Sequence, residues 1–337
     1  MVRADHSRSF KILGAAHVVP EKILSSDQLD WQLGFKHGKI EKVSGVKKRH
    51  VTDYDDTAAI LAARAAQNAL LAAQLTISDI DCVVAVSATM DQGMPCNAAL
   101  VHYQLGLGDS GVPAFDINAS CLGFLAALDT LSWQVAAGVY QHILIVAADL
   151  ASVGLDWAHL ESSAIFGDGA AAVIVGKPDS NNSARILASS LKTYSTGVHF
   201  CEIPGGGSRF HPERTHKDVS PLMKFKMNGK KVFQLAAKYM PAFLNDLLKD
   251  ANLNINDIDW VVPHQASHLA LEHMTVRLGL DKNKVVNIYS EYANQVAASL
   301  PTALDIAIRD GRIKRGQKVL LLGTGAGLSI GGVILEY

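Results

Sequence analysis

The chain has 337 residues, 49% of them hydrophobic and 19% charged, with 31 Lys and Arg against 32 Asp and Glu. That length holds about two domain-sized units, and the apolar content excludes a disordered chain. A net charge of −1 without a basic block excludes a whole-protein nucleic-acid binder. No apolar run reaches the ~18 residues of a membrane span, and the stretch 1–14 lacks the apolar centre of a secretory leader. The one tight basic cluster, Lys47, Lys48 and Arg49, reads as a solvated surface. Cys82, Cys96, Cys121 and Cys201 show no metal or redox spacing, so a reduced, cytoplasmic chain is expected.

In chain order, 57–75 carries Ala and Leu in an apolar stripe and predicts a helix. The β-branched run at 82–86 predicts a buried strand, 122–138 a second helix, and 143–147 and 171–175 two more strands. Further strands are expected at 260–262, 319–322 and 332–335. Strands alternating with helices define an α/β architecture with parallel or mixed sheets covered by helices.

A faint repeat organises these elements. Asp79-Ile80-Asp81 leads into one apolar strand and Asp257-Ile258-Asp259 into another, 178 residues on (259 − 81). The strands beginning at 143 and 319 repeat at 176 (319 − 143). Gly167-Asp168-Gly169 and Gly325-Ala326-Gly327 each precede an apolar run. Two related halves are expected, 1–176 and 186–337, joined through the polar, turn-rich stretch from Lys177 to Ser183. A site between them would draw chemistry from both.

Cys121 falls where the helix predicted at 122–138 begins. Helix N–H groups and the positive end of the macrodipole favour a thiolate there, and Gly123 permits close backbone approach. The bland alternative is a buried structural cysteine. Cys82 reads as core, and Cys96 and Cys201 as structural loop positions. A thiolate nucleophile needs a proton partner and an oxyanion binder. His264 follows a buried strand closed by Pro263, at the end where open α/β sheets bind ligands. Asn294 precedes a run of small residues. Each also has a bland reading, His264 as a helix cap and Asn294 as a turn residue. The loop Gly323-Thr324-Gly325-Ala326-Gly327 lacks the lysine of a phosphate loop. It reads as a tight turn whose N–H groups point into a site.

Together these stretches resemble the β-ketoacyl-acyl-carrier-protein synthase III branch of the thiolase superfamily. The carrying motifs run from Asn118 to Phe124, Phe166 to Ala170, Met227 to Phe233, Asp259 to Ala266, Ala293 to Pro301 and Gly323 to Gly327. The resemblance implies a five-layer α-β-α-β-α fold of two homologous halves, a homodimer, and a catalytic Cys121, His264 and Asn294. It implies an oxyanion hole from the backbone N–H groups of Cys121 and Ala326, and substrate contacts at Met94, Phe233, Gly325 and Gly327. The implied reaction is decarboxylative Claisen condensation of an acyl-cysteine with a malonyl thioester, in fatty-acid or specialised lipid or polyketide biosynthesis. No cofactor is implied; acyl-CoA or acyl-carrier-protein thioesters are the substrates. Alternatives are an acyltransferase to an alcohol or amine and a non-catalytic partner on the same fold. The chain departs from the family where a Trp and an Arg bind the CoA adenine, with Lys39 and Val43 in their places. Leu269 stands where a carrier-docking Arg is usual, and Gln295 where a Thr is usual.

Overall fold

The computed structural model describes residues 7–179, 183–215 and 217–337. The joint expected between the halves therefore lies partly outside the described residues, at 180–182, as does the start of the chain, 1–6.

Two five-stranded sheets dominate. The first runs Lys11–Val18, Gly169–Gly176, His142–Asp149, Cys82–Ala85, Ala114–Asp116. The second runs Arg8–Ser9, Arg185–Thr193, Ser329–Glu336, Lys318–Gly325, Trp260–Pro263. Their pairing repeats. Cys82–Ala85 lies parallel to His142–Asp149, which is antiparallel to Gly169–Gly176. Trp260–Pro263 lies parallel to Lys318–Gly325, which is antiparallel to Ser329–Glu336.

The Asp-Ile-Asp repeat has a physical cause in each half. Asp79 and Asp257 close capping boxes on single 3-10 turns, Ile77–Asp79 and Ile255–Asp257. The next aspartate accepts from the start of the neighbouring strand: Asp81 from His142 N at 2.9 Å, Asp259 from Lys318 N at 2.8 Å. One carboxylate starts the turn and the next sets the strand register.

Side-chain alternation sorts the first sheet into two faces. Val84, Ile143, Ile145 and Val173 face a central cluster. Val83, Leu144, Val146 and Ala172 face an outer one with the Ala-rich helix Ala58–Ala73. The second sheet does the same: Leu321 and Val333 face inward, and Leu320, Leu322 and Ile334 outward onto helix Gly229–Asp250. Between the sheets lie helices Gly123–Ala136 and Ser299–Arg309, which supply Phe124, Leu128, Leu131, Leu300 and Leu304 to the shared core. The result is a helix–sheet–helix–sheet–helix stack, the five-layer thiolase-like arrangement.

One surface expectation is overturned. Lys47 is exposed, but Arg49 is 1% exposed. It lies in the short strand Lys48–His50, whose alternation turns its side chain inward.

The central helix touches the second sheet through Leu122, which is fully buried. Cβ atoms added at Gly323, Gly325 and Gly331 would lie 3.1–3.2 Å from its side chain. Three glycines on one sheet thus make the groove that receives this leucine. Leu122→Ala should lower stability by about 3 kcal/mol and Leu122→Met by under about 1.5 kcal/mol, read by urea denaturation. Equal losses would refute close packing at this groove.

Candidate active site

Cys121 stands just ahead of helix Gly123–Ala136 on a turn in which Ser120 takes a left-handed φ of 52°. Asn118 Oδ1 accepts from Ser120 N at 2.9 Å and fixes that turn. A Cβ at Gly123 would lie 2.3 Å from the Val86 carbonyl oxygen, so only glycine lets the helix start press on that strand end.

The main-chain N–H groups of Cys121 and Ala326 lie near the Cys121 sulfur and favour its anion. Burial outweighs them and pushes the thiol well above its ordinary range, with Cys201 and Asp149 adding in the same direction. The expected thiolate bias is therefore reversed. A helix terminus is worth up to about 2 kcal/mol, less than the cost of ionising a thiol in apolar surroundings. At rest Cys121 is a thiol. Cys201, read from sequence as a structural loop position, stands near it, with its own thiol pushed up to about 12 by burial. No spacing in the sequence announces that pairing.

His264 follows the strand Trp260–Pro263, and its N–H reaches Leu322 O at 2.8 Å. A Cβ at Gly323 would lie 2.8 Å from His264 Cβ and 3.1 Å from Leu122 Cδ2, so histidine and the cysteine turn flank one glycine. The next residue, Gln265, is fully buried; it donates to Pro263 O and Val286 O and accepts from Ile288 N, which pins the turn. Burial lowers His264 to about 4, so its ring is neutral at neutral pH. Its Nδ1 has no hydrogen-bond partner among the described residues.

Asn294 is 4% exposed, and its amide is oriented by its neighbours. Oδ1 accepts from Val296 N at 2.8 Å and Ser299 Oγ at 3.2 Å, while Nδ2 donates to Ala266 O at 3.1 Å. One Nδ2 hydrogen remains for another acceptor. Ala266 N in turn donates to His264 O at 2.9 Å, so His264 and Asn294 share one turn. Ala293 and Val296, which flank Asn294, pack in the apolar cluster against which Cys121 rests. Cysteine, histidine and asparagine thus converge on one locus.

The other expected substrate contacts are spread more widely. Gly325 faces the turn, since its added Cβ would lie 3.3 Å from Ala119 O. Gly327 faces Ser329 and Thr193. Met94 is 85% exposed, and Phe233 is 39% exposed, edge-on to His273 at 4.8 Å. Asp149 went unnoticed in the sequence. It is fully buried, accepts from Ala88 N, Thr89 N and Thr89 Oγ1, and through Oδ2 from Ala297 N at 2.9 Å. It ties the two halves together beside the site. Among the described residues, no cluster of three or more His, Cys, Asp or Glu could hold a metal ion, and no helix is long and apolar enough to cross a membrane.

Two sheets between three helical layers, with a cysteine at the head of the central helix, define a thiolase-fold protein. The chain belongs to the β-ketoacyl-[acyl-carrier-protein] synthase III family. Residues 115–195 match the 3-oxoacyl-[acyl-carrier-protein] synthase III family and 248–337 its C-terminal family. The chain is 35% identical to the β-ketoacyl-[acyl-carrier-protein] synthase III of Neisseria gonorrhoeae, over 97% of this chain and 99% of that one. The crystal structure of the synthase III from Pseudomonas aeruginosa superposes with a TM-score of 0.86 at 31% identity, covering 98% of both chains. An OleA from Xanthomonas campestris shares the fold at a TM-score of 0.85 and 22% identity, again over 98% of both chains.

The buried pair predicts an unusual pH response. Burial raises Asp149 to about 6. Between about pH 4 and 6 the native carboxyl keeps a proton that the unfolded one has lost, so its contribution to stability falls as pH rises. Native His264 lacks a proton that unfolded histidine carries between about pH 4 and 6.5, so its contribution rises with pH. Each slope is worth about 3 kcal/mol, and in the intact protein they oppose. Relative to wild type, the slope of stability against pH should become more positive between pH 4 and 6 in Asp149→Asn and more negative between pH 4 and 6.5 in His264→Ala, in urea titrations at fixed pH. Slope changes of the same sign in both variants would refute this.

Proposed function

We propose that the chain forms a carbon–carbon bond between an acyl group held on Cys121 and a malonyl thioester, with loss of CO2. This is a β-ketoacyl synthase III reaction of fatty-acid or specialised lipid biosynthesis. Cys121 Sγ attacks the acyl thioester carbonyl; a carbon–sulfur bond forms, and the carrier leaves as the thiol after taking up the Cys121 proton. The N–H groups of Cys121 and Ala326 receive the oxygen of the tetrahedral intermediate. The malonyl thioester then loses CO2, and the electron pair left behind delocalises into its thioester carbonyl. Hydrogen bonds from neutral His264 and from Asn294 Nδ2 stabilise that enolate. Its carbon attacks the acyl-cysteine, the β-ketoacyl thioester departs, and Cys121 sulfur recovers a proton.

The observation that carries this reading is the oriented amide of Asn294. Two donors occupy Oδ1, so the side chain can offer only an N–H to a ligand. An enolate oxygen is an acceptor and suits that N–H. Neutral His264 suits the same task, because a hydrogen-bond donor is needed there and not a second fixed charge. The chemistry uses side chains and main-chain N–H groups alone, without a cofactor.

The carriers are acyl-CoA and acyl-carrier-protein thioesters. Val43 is 40% exposed and Leu269 63% exposed, in the places where family members carry an Arg for the donor or its carrier. This favours a donor held differently at the mouth. Met90 and Met94, 54% and 85% exposed on one loop, suit burial against a second copy, in a homodimer working in the cytoplasm.

Intact-protein mass spectrometry with a panel of acyl-CoA and acyl-carrier donors should show an added acyl group on the wild type and none on Cys121→Ala. Asn294→Asp should still take the acyl group but release CO2 from malonyl-CoA about 100-fold more slowly, since its carboxylate opposes the enolate. Wild-type CO2 release by Asn294→Asp, or acylation of Cys121→Ala, would overturn the assignment.

A further inference from the structure

We propose that Arg49 is a positioning residue for Asn294: its guanidinium holds the 164–166 segment on which the main chain of Asn294 is seated, and so sets where the free amide N–H points. The inference rests on the role given to Asn294 above.

Arg49 is 1% exposed. Its Nη1 donates to Ala164 O at 2.7 Å and to Phe166 O at 3.0 Å. The same segment carries Asn294 on its other side. Asn294 N donates to Ile165 O at 2.9 Å, and Gly167 N donates to Asn294 O at 3.1 Å. Ala164 closes the short helix Leu160–Ser163 in a right-handed helical conformation, and the chain turns through 164 and 165. The carbonyls of 164 and 166 turn to Arg49, and the carbonyl of 165 with the N–H of 167 turns to Asn294. Arg49 and Asn294 grip one short segment from its two edges.

A second path leads from Arg49 to the same residue. The side chain of Tyr289 lies near the guanidinium, whose charge it feels, and its hydroxyl has no hydrogen-bond partner among the described residues. Tyr289 opens the helix Tyr289–Tyr292, directly ahead of Ala293 and Asn294. Gly167 closes the assembly: an added Cβ would lie 3.2 Å from Arg49 Cβ and 2.8 Å from Tyr292 O.

The chemistry of the contact points to positioning and not to filling. Among the described residues no carboxylate pairs with Arg49, and burial lowers it to about 10. An apolar side chain of similar volume would fill the space without desolvating a charge. It could not bind two carbonyls at fixed spacing, as a guanidinium does. Below this point the segment is held without the Arg49 side chain, because Asp168 N donates to His50 O at 2.9 Å and Thr52 N to Asp168 Oδ2 at 2.8 Å. Removing the guanidinium should free 164–166 while leaving 168 anchored.

The test separates the two half-reactions in Arg49→Gln and Arg49→Lys. Acylation of Cys121, read by intact mass, should stay within about twofold of wild type. Release of CO2 from malonyl-CoA should fall at least about tenfold in Arg49→Gln, and less in Arg49→Lys, which keeps the charge and one donor group. Amide hydrogen exchange at Gly167 and Asn294 should quicken in both variants, whatever the turnover. A parallel fall of both half-reactions, or unchanged exchange at these two amides, would overturn the role of Arg49. If Arg49→Gln does not fold, the same two measurements on Arg49→Lys decide the matter. Wild-type protein that takes up acyl groups but never releases CO2 would instead overturn the reading of Asn294, and the exchange measurement would still decide the clamp.

Discussion

The structure depends on one close approach. The head of the central helix belongs to the first half of the chain, and the surface that receives it belongs to the second. Leu122 fits against Gly323, Gly325 and Gly331, each of which would crowd it with a single added carbon. This fit brings the Cys121 sulfur within reach of the Ala326 N–H. Without it the main-chain N–H groups of Cys121 and Ala326 would belong to two separate surfaces. The glycines therefore define the site as much as the reactive side chains do, by allowing two main chains to come together.

The second consequence of that approach is dryness. Four donors surround the Asp149 carboxylate, yet burial still raises it to about 6. The same surroundings keep His264 neutral and Cys121 protonated. The proposed enolate gains from this. Hydrogen bonds aimed at a developing negative charge are stronger where water cannot compete. A thiol and a neutral imidazole also cost less to bury than an ion pair would, because neither carries a full charge into the core. In the proposed reaction Cys121 is held in reserve as a thiol and gives up its proton only as the acyl group is transferred.

Much of this was legible in the sequence, for identifiable reasons. The helices at 57–75 and 122–138 and six of the strands followed from apolar runs, whereas Lys11–Val18, Ala114–Asp116 and Arg185–Thr193 were not read. The repeat was visible because each half needs an aspartate to start a turn and another to set a strand, and both needs act within a few residues. Asp79 and Asp81 had counterparts in Asp257 and Asp259 for that reason. His264 and Asn294 were marked by local context, a strand end and a run of small residues. Asp149, Cys201 and Arg49 were not legible. Asp149 closes a strand that is apolar from Ile143 to Ala148, and its partner Ala297 is 148 positions away. Arg49 sits beside two lysines, and its acceptors lie 115 and 117 positions distant. Charge composition places such a trio at the surface. Only the alternation of a three-residue strand, too short to recognise beforehand, turns the last member inward.

The buried arginine sharpens a general point about this fold. In the proposed reaction Asn294 must be exact in direction, since one free N–H has to meet one oxygen. It occupies irregular backbone between two residues of positive φ, Ala293 at 57° and Val296 at 53°. Such backbone has no regular ladder to hold it, and strained torsions persist only where the surroundings over-determine them. Here the restraint comes from the 164–168 segment on one side and from the turn at Ala266 on the other. A charged side chain is an expensive way to supply such restraint, but two carbonyl oxygens facing an apolar cluster need donors in any case. A guanidinium satisfies both from a single atom while spanning from a strand that is itself anchored. The cost of burying Arg49 is thereby set against two otherwise unpaired carbonyls, and the direction of the Asn294 amide follows from that balance.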